Sequence, residues 1–595
     1  MSPSATLLPL LKSTFGYDAF RGRQADVLDR VMAGHSALAV MPTGAGKSLT
    51  YQLPALALEG TVIVISPLIA LMHDQLRGAL AAGISAATLT SVDTDQADTI
   101  ARLRGGALDL LYVAPERATR PAFADLLAEA RIALFAIDEA HCVSEWGHDF
   151  RPDYRGLRPL LDRFGHVPRL ALTATADAHT RTDILVQLGI PDDGLILAGF
   201  DRPNIRYAMQ PRTNPLQQLT ALLAEQPGPG IIYVPTRKKT EELAAGLARA
   251  TGRPVAPYHA GLDPDVRANT QSRFVASEDG VVVATVAFGM GIDKPDVRFV
   301  AHAGIPKSIE GFYQETGRAG RDGDPALAIM LWGASDFAMA RSRLAELPED
   351  RVEGERVRLN ALAALVEATG CRRQILLAHF GERGTPPCGN CDNCLSPPKG
   401  VDATELARKL LSAVYRTGQS FGIGHVVKVL TGAADERVTA RGHDQLSVFG
   451  IVDAGEAALL QPLARSLTAQ DALRQTDHGG WMLGPSARAI LKGEARVDLV
   501  LQPARVRRQR GGRASAAGGG VNPVGDPLFD ALRALRRDLA AEAGVPPYVI
   551  AHDSVLRELT ARRPTSLAAL ADVPGLGARK IAAHGEALLA VVRQF

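Results

Sequence analysis

Cysteine is scarce in this chain, with five in 595 residues. So few thiols cannot make the framework of a small disulfide-stapled secreted protein, and any that cluster point to metal instead. No stretch has the length and apolarity of a membrane span. The first residues, MSPSATLLPLLKSTFGYDAF, lack the basic, apolar and small-residue order of a secretory leader. A soluble intracellular protein is expected. An excess of one charge is missing too, because 66 Lys and Arg against 64 Asp and Glu leave +2. A nucleic-acid partner would therefore need basic residues clustered locally. Apolar residues make up 46%, enough for large cores. The length implies several domains, about four at roughly 150 residues each.

The chain is organised around VMPTGAGKS (40–48). A short apolar run, 37–41, leads in, and a stretch of helical composition follows from Leu49. That order is strand, glycine loop, helix. Backbone N–H groups of such a loop converge on phosphate, and glycines at 44 and 46 let the backbone approach closely. Lys47 would reach the β- and γ-phosphates, and Ser48 would take a place on Mg²⁺. The helix start adds its dipole. The full pattern has glycine six residues before the lysine, where this chain has Met41. On the motif alone, a glycine-rich turn that binds nothing stays open.

Buried-strand candidates at 37–41, 61–65, 108–113, 133–137 and 170–173 alternate with helical stretches. This implies a parallel sheet covered on both faces, with ligands at the carboxyl ends of its strands. Asp138-Glu139-Ala140-His141 stands directly after one such strand, some 90 residues past the glycine loop. There Asp138 can hold Mg²⁺, and Glu139 can orient the attacking water. Trp146, His148, Phe150 and Tyr154 follow in CVSEWGHDFRPDY (142–154), together with Arg151. They show no clean helical or strand period. Aromatic faces beside an arginine suit stacking on unpaired bases. Cys142 stands alone and is expected to be buried.

At this point the chain resembles the superfamily 2 helicases, and within them the RecQ family, over nearly its whole length. That family's glycine loop commonly lacks the first glycine. SPLIALMHDQ (66–75), YVAPER (112–117) and LTATA (172–176) resemble its segments for DNA contact and coupling between lobes. FGYDAFRGRQ (15–24) resembles its adenine-recognition segment, which implies that Tyr17 stacks on the base while Arg21 and Gln24 hydrogen-bond it. Gly22-Arg23 replaces the usual Pro-Gly, so the turn there is expected to differ slightly. The aromatic-rich segment, with Trp146, His148, Phe150 and Arg151, matches the loop that links DNA binding to hydrolysis.

FDRPN (200–204) looks like the joint to a second α/β unit, with strand candidates at 230–234, 255–259, 281–285, 298–303 and 326–331. That unit has no glycine loop of its own. It carries QETGRAGRDG (314–323), where two arginines three apart can face one way. Matched to the family's motif VI, Arg321 is the arginine finger and Arg318 its support. By the same resemblance Thr236, Arg237, His259 and Thr285 contact the DNA backbone, and Gly291 and Asp293 line the nucleotide cleft.

Cys371, Cys388, Cys391 and Cys394 fall within 24 residues as C-x16-C-x2-C-x2-C. Four thiolates suit tetrahedral zinc; an iron–sulfur cluster or free thiols are the alternatives. The resemblance to the RecQ zinc module, CRRQILLAHFGE followed by CGNCDNC, implies structural zinc. Residues 343–370 read as helical. FGIGHVVKVLTG and GHDQLSVFGI resemble the family's winged-helix domain, with a short wing expected from strands at 473–476 and 481–483. The turn between holds His478, and Trp481 is expected to pack rather than to touch duplex. Residues 503–525 hold five arginines and no acid in a Gly/Ala/Ser setting, which reads as a flexible linker. The last 70 residues resemble the HRDC domain. With 9 basic and 8 acidic side chains there, only weak or structure-selective DNA binding, or a protein contact, is expected.

The expected architecture is α/β. Two RecA-like parallel-sheet lobes (1–199, 200–342) precede a helical zinc-binding module (343–400) and a winged-helix domain (401–502). The linker (503–525) and a small all-helical HRDC domain (526–595) follow. The resemblance implies an ATP-dependent helicase using ATP, Mg²⁺ and Zn²⁺. It would translocate 3′ to 5′ on single-stranded DNA and act at forked or partly duplex DNA in recombination, repair and replication-fork processing. It also implies a single-strand-binding protein as partner of the winged helix, no membrane, and a cytoplasmic, nucleoid-associated location. An RNA helicase or non-unwinding translocase is the first alternative. A nucleotide-gated scaffold without turnover is the second, and intact Lys47, Glu139 and Arg321 weigh against it.

Overall fold

A computed structural model describes residues 2–90, 93, 95–144, 150–288, 294–344, 346–475, 480–501 and 526–595. The first sheet contains β1 (Ala37–Val40), β2 (Thr61–Ile65), β3 (Ala86–Leu89), β4 (Leu110–Val113), β5 (Ile132–Ile137), β6 (Arg169–Thr173) and β7 (Leu195–Leu197). The order is β3-β4-β2-β5-β6-β1-β7, with every pairing parallel. Most of these strands are apolar on both faces because helices cover both. Val40 pairs with Thr173 and Ile137 with Ala171. The segments after β1, β5 and β6 therefore emerge side by side at the carboxyl edge.

The second sheet contains β8 (Ile205–Pro211), β9 (Gly230–Tyr233), β10 (Val255–Tyr258), β11 (Val281–Ala284), β12 (Phe299–His302) and β13 (Ala326–Trp332), in the order β10-β11-β9-β12-β13-β8. It too is parallel throughout. The ten strands expected from the sequence are all present, with ends moved by at most two residues. β3, β7 and β8 are additional.

The cysteine-bearing module follows helices Ala334–Leu344 and Glu349–Glu367. Among the described residues its buried side chains, including Leu376, Leu377 and Phe380, belong to the same core cluster as Phe200, Tyr207, Phe312 and Tyr313. Phe380 stacks on Phe200 with centroids 4.7 Å apart and rings at 12°. The next domain has its own core. Its ends are tied by β14 (Lys399–Asp402) pairing with β17 (Asp498–Leu501), and between them β15 (Leu473–Gln475) pairs with β16 (Trp481–Leu483) as the expected wing. Trp481 is partly buried against that core. Its turn, with Thr476 and His478, and the linker 503–525 lie outside the described residues. No described helix is long and apolar enough to cross a membrane.

The C-terminal bundle packs leucines 528, 532, 556, 559, 588 and 589 into its own core. It sits against both lobes. The Gly575 N–H donates to Gly16 O at 3.0 Å on the first. On the second, Arg536 meets Glu278 at 2.8 Å and Arg557 forms a two-pronged pair with Asp324.

Candidate nucleotide site between the lobes

The loop after β1 turns through Gly44 at φ +84° and Gly46 at φ +75°, both left-handed positions that favour glycine. Lys47 Nζ points back to its own loop, 3.3 Å from Met41 O and 3.5 Å from Pro42 O. Gln24 braces the loop from outside: its Nε2 donates to Ala45 O at 2.9 Å and Gly46 O at 3.2 Å, while its Oε1 accepts from the Arg21 N–H at 2.9 Å. Arg21 also lies over the Tyr17 ring, 5.1 Å from its centroid. The three residues assigned to adenine recognition thus meet at the mouth of the loop.

Asp138 is buried at the end of β5. Burial raises its carboxyl to about 6; Glu139 pushes the same way and Lys47 opposes. Gln75 Nε2 stands 3.5 Å from its Oδ2, and its own carbonyl accepts from the Tyr154 hydroxyl at 2.8 Å. A buried carboxylate beside a second one suits a divalent cation, so Asp138 fits the Mg²⁺ position expected of it. Glu139 adopts φ +49°, a conformation that costs a non-glycine residue roughly 1–2 kcal/mol. His141 Nδ1 lies 3.3 Å from Glu139 Oε2 and 3.0 Å from Thr173 Oγ1. His141 thus stands between the LTATA segment and Glu139. Cys142 is buried, as expected.

The second lobe closes over this loop. Arg318 and Arg321 lie in the turn after helix Ile309–Thr316. A Cβ on Gly44 would stand 3.3 Å from Arg321 Cγ, and one on Gly317 would stand 3.2 Å from Thr43 Oγ1. Arg318 is buried beside the Tyr233 hydroxyl. Burial pushes that hydroxyl up to about 12, against the opposing charges of Arg318 and Arg321. Lys47, Asp138, Glu139, Arg318 and Arg321 are thus gathered at one cleft. Arg202 joins them, and sequence reasoning missed it: FDRPN marked a joint, but its partners are backbone carbonyls, which have no sequence signature.

The four cysteine sulfurs lie within 4.8 Å of one another, with Cys388–Cys394 at 3.9 Å and Cys371–Cys391 at 4.0 Å. Tetrahedral Zn–S bonds of about 2.3 Å need sulfurs roughly 3.8 Å apart, so the set fits zinc. The N–H groups of Cys388 and Cys391 point at thiolate sulfurs at 3.3 Å.

Family models match in the same order along the chain: DEAD/DEAH box helicase over 21–184, helicase conserved C-terminal domain over 214–323, RecQ zinc-binding over 334–395, RQC domain over 397–508 and HRDC domain over 526–592. The chain is 41% identical to an ATP-dependent DNA helicase RecQ of Haemophilus influenzae, covering 99% of this chain and 96% of that protein. It is 40% identical to the one of Pasteurella multocida, over 99% and 94%. The chain belongs to the RecQ family of ATP-dependent DNA helicases. The Bacillus subtilis relative, at 36% identity over 98% of both chains, agrees. ATP, Mg²⁺ and Zn²⁺ are its cofactors, and the RNA alternative is not favoured.

The residues assigned to DNA in this RecQ-family chain are placed unevenly. Thr236 and Arg237 are exposed at the start of helix Arg237–Thr251, which Thr236 caps. Thr285 is half-buried, its N–H donating to Tyr258 O at 3.2 Å. His259 is buried, with Nε2 3.0 Å from Glu241 Oε1. Arg151 Nη1 donates to Pro67 O at 3.0 Å, tying the aromatic-rich segment to SPLIALMHDQ. Phe150 lies under the Arg155 guanidinium, 5.4 Å from it. Trp146, His148, Gly291 and Asp293 lie outside the described residues.

Proposed function

We propose that the RecQ-type ATPase moves 3′ to 5′ along single-stranded DNA and separates duplex ahead of it, in recombination, repair and replication-fork processing. Lys47, Thr43, Gly44 and Gly46 hold the phosphates, Ser48 and Asp138 take Mg²⁺, and Glu139 orients the water. Arg321, supported by Arg318, stabilises charge on the transferring phosphoryl group from across the cleft. Held by Ser48 and Asp138, Mg²⁺ would supply charge neutralisation for the phosphates. Tyr17, Arg21 and Gln24 hold adenine, with Gly291 and Asp293 at the cleft edge. Trp146, His148, Phe150 and Arg151 sense unpaired bases, while Thr236, Arg237 and Thr285 grip the backbone. For His259, burial against Glu241 supports an indirect role, holding that grip in shape. The apposition of Arg321 and the glycine loop carries this reading. Hydrolysis removes what draws the lobes together, and the cleft relaxes. A single-strand-binding protein as partner of the winged helix, and a place on the nucleoid, rest on the family resemblance.

The test is ATP hydrolysis and strand separation on duplexes with 3′ or 5′ tails, in DNA and RNA, for wild type and Lys47→Ala. Unwinding only from the 3′ DNA tail, lost in Lys47→Ala, is expected. Equal unwinding from 5′ tails, or stimulation by RNA alone, would contradict the proposal.

A further inference from the structure

Arg202 is buried, and its planar guanidinium spends its donors on four backbone carbonyls. Nη1 donates to Thr43 O at 2.6 Å in the first lobe and to Gly317 O at 3.0 Å in the second. Nη2 donates to Ala319 O and Gly320 O, each at 2.9 Å. The three second-lobe carbonyls flank Arg318 and end one residue before Arg321. Asn204 grips the other side of the same turn, its Nδ2 donating to Gly320 O and Asp324 O at 2.8 Å each. The fit leaves little slack: Gly320 adopts φ +56°, and a Cβ there would stand 2.5 Å from Asn204 Nδ2. A rigid fork of donors can hold two loops at a set angle, which a lysine ammonium cannot.

The backbone around Arg202 is held in turn. Arg373 Nη2 donates to Ile205 O at 2.6 Å, Arg202 O at 3.2 Å and Pro203 O at 3.3 Å. Arg373 stands two residues after Cys371, on helix Arg372–His379. The Phe200 N–H donates to Glu382 of the same module. A continuous set of bonds therefore runs from the cysteine module, through residues 200–205, to both walls of the nucleotide cleft.

We propose that Arg202 is the positioning residue for the arginine finger, setting the turn that bears Arg321 against the glycine loop, with Arg373 holding Arg202 in register. The proposal rests on the reading of Arg321 as the finger. Three of the four bonds stay within the second lobe. The Thr43 bond alone spans the cleft, so it must break whenever the lobes part.

The experiment compares DNA-stimulated ATP hydrolysis, binding of a fluorescent non-hydrolysable ATP analogue and melting temperature. The variants are Arg202→Ala, Arg202→Lys, Arg373→Ala, Arg321→Ala and the Arg202→Ala/Arg321→Ala pair. kcat should fall by about 10²-fold in both Arg202 variants, the scale of a 1 Å misplacement. KM for ATP and analogue affinity should stay within about threefold. Arg373→Ala should show a smaller fall of the same kind. The pair should be no slower than Arg321→Ala alone, because both changes remove one function. Unchanged kcat in the Arg202 variants, analogue binding lost in step with kcat, or additive losses in the pair would each overturn the proposal. If Arg202→Ala does not fold, Arg202→Lys and Arg373→Ala, alone and paired with Arg321→Ala, give the same comparison. Wild-type turnover in Arg321→Ala alone would remove the finger assignment itself, and this proposal with it.

Discussion

Gly44 and Arg321 touch across the cleft. A Cβ on Gly44 would lie 3.3 Å from Arg321 Cγ and 3.5 Å from its Cα. The glycine loop of one lobe thus meets the Arg321 turn of the other at backbone level. Gly44 answers two demands at once, a left-handed φ of +84° and a close neighbour.

Gly44→Ala separates these demands when compared with Gly34→Ala. Gly34 has φ +80° but nothing within 4 Å of an added Cβ. Both variants should lose about 1 kcal/mol of stability from backbone strain. Only Gly44→Ala should lose turnover, by about tenfold or more, because it pushes Arg321 aside. Thermal melts and ATPase assays check this. Equal turnover in the two variants would rule out the steric account.

The cysteine cluster predicts one zinc per chain by elemental analysis. Cys391→Ser, at a fully buried sulfur, should release it. Because the module shares its core with Phe200 and Tyr207, melting should fall by roughly 5 °C or more. An iron signature, or melting indifferent to zinc, would contradict this assignment.

Glu367 joins the cysteine module to the winged helix, accepting from Ser466 Oγ at 2.9 Å and Gln470 Nε2 at 3.1 Å. Burial raises its carboxyl to about 8, against the pull of those bonds and of Arg341. The folded state therefore holds a proton that the unfolded chain releases in the usual carboxylate range. Its stabilising contribution is complete below that range and is lost as pH rises through about 8. Between pH 6 and 9 stability should fall by at most about 1.4 kcal/mol per pH unit from this group. Glu367→Gln, which keeps a neutral partner there, should flatten the slope. Identical slopes in denaturant titrations of the two proteins would count against it.

The central strands were legible because their residues are apolar on both faces. β2 was expected at its observed bounds, and β1 ended one residue short of Met41, where the loop begins. The additional strands all lie at the edges of their sheets. β3 (AATL) and β7 (LIL) are short edge strands. β8 (IRYAMQP) mixes charge with apolar residues because it too lies at an edge, where Asp392 accepts from its Met209 N–H at 2.9 Å. Lys47, Asp138, Glu139 and Arg321 were legible because their motifs are local. Arg202 was not, since what it holds is brought to it only by folding. His259 read as a surface contact because Glu241, its partner, stands 18 residues earlier on a different element.

The central claim is that the phosphate loop is half a site, completed from the second lobe. It is tested most directly by single-turnover ATP hydrolysis in Arg321→Ala, beside affinity for a non-hydrolysable ATP analogue. The account predicts that hydrolysis falls by about 10³-fold or more, as for other arginine fingers, while affinity stays nearly unchanged. Hydrolysis within a few fold of wild type, or affinity lost in proportion to rate, would contradict it.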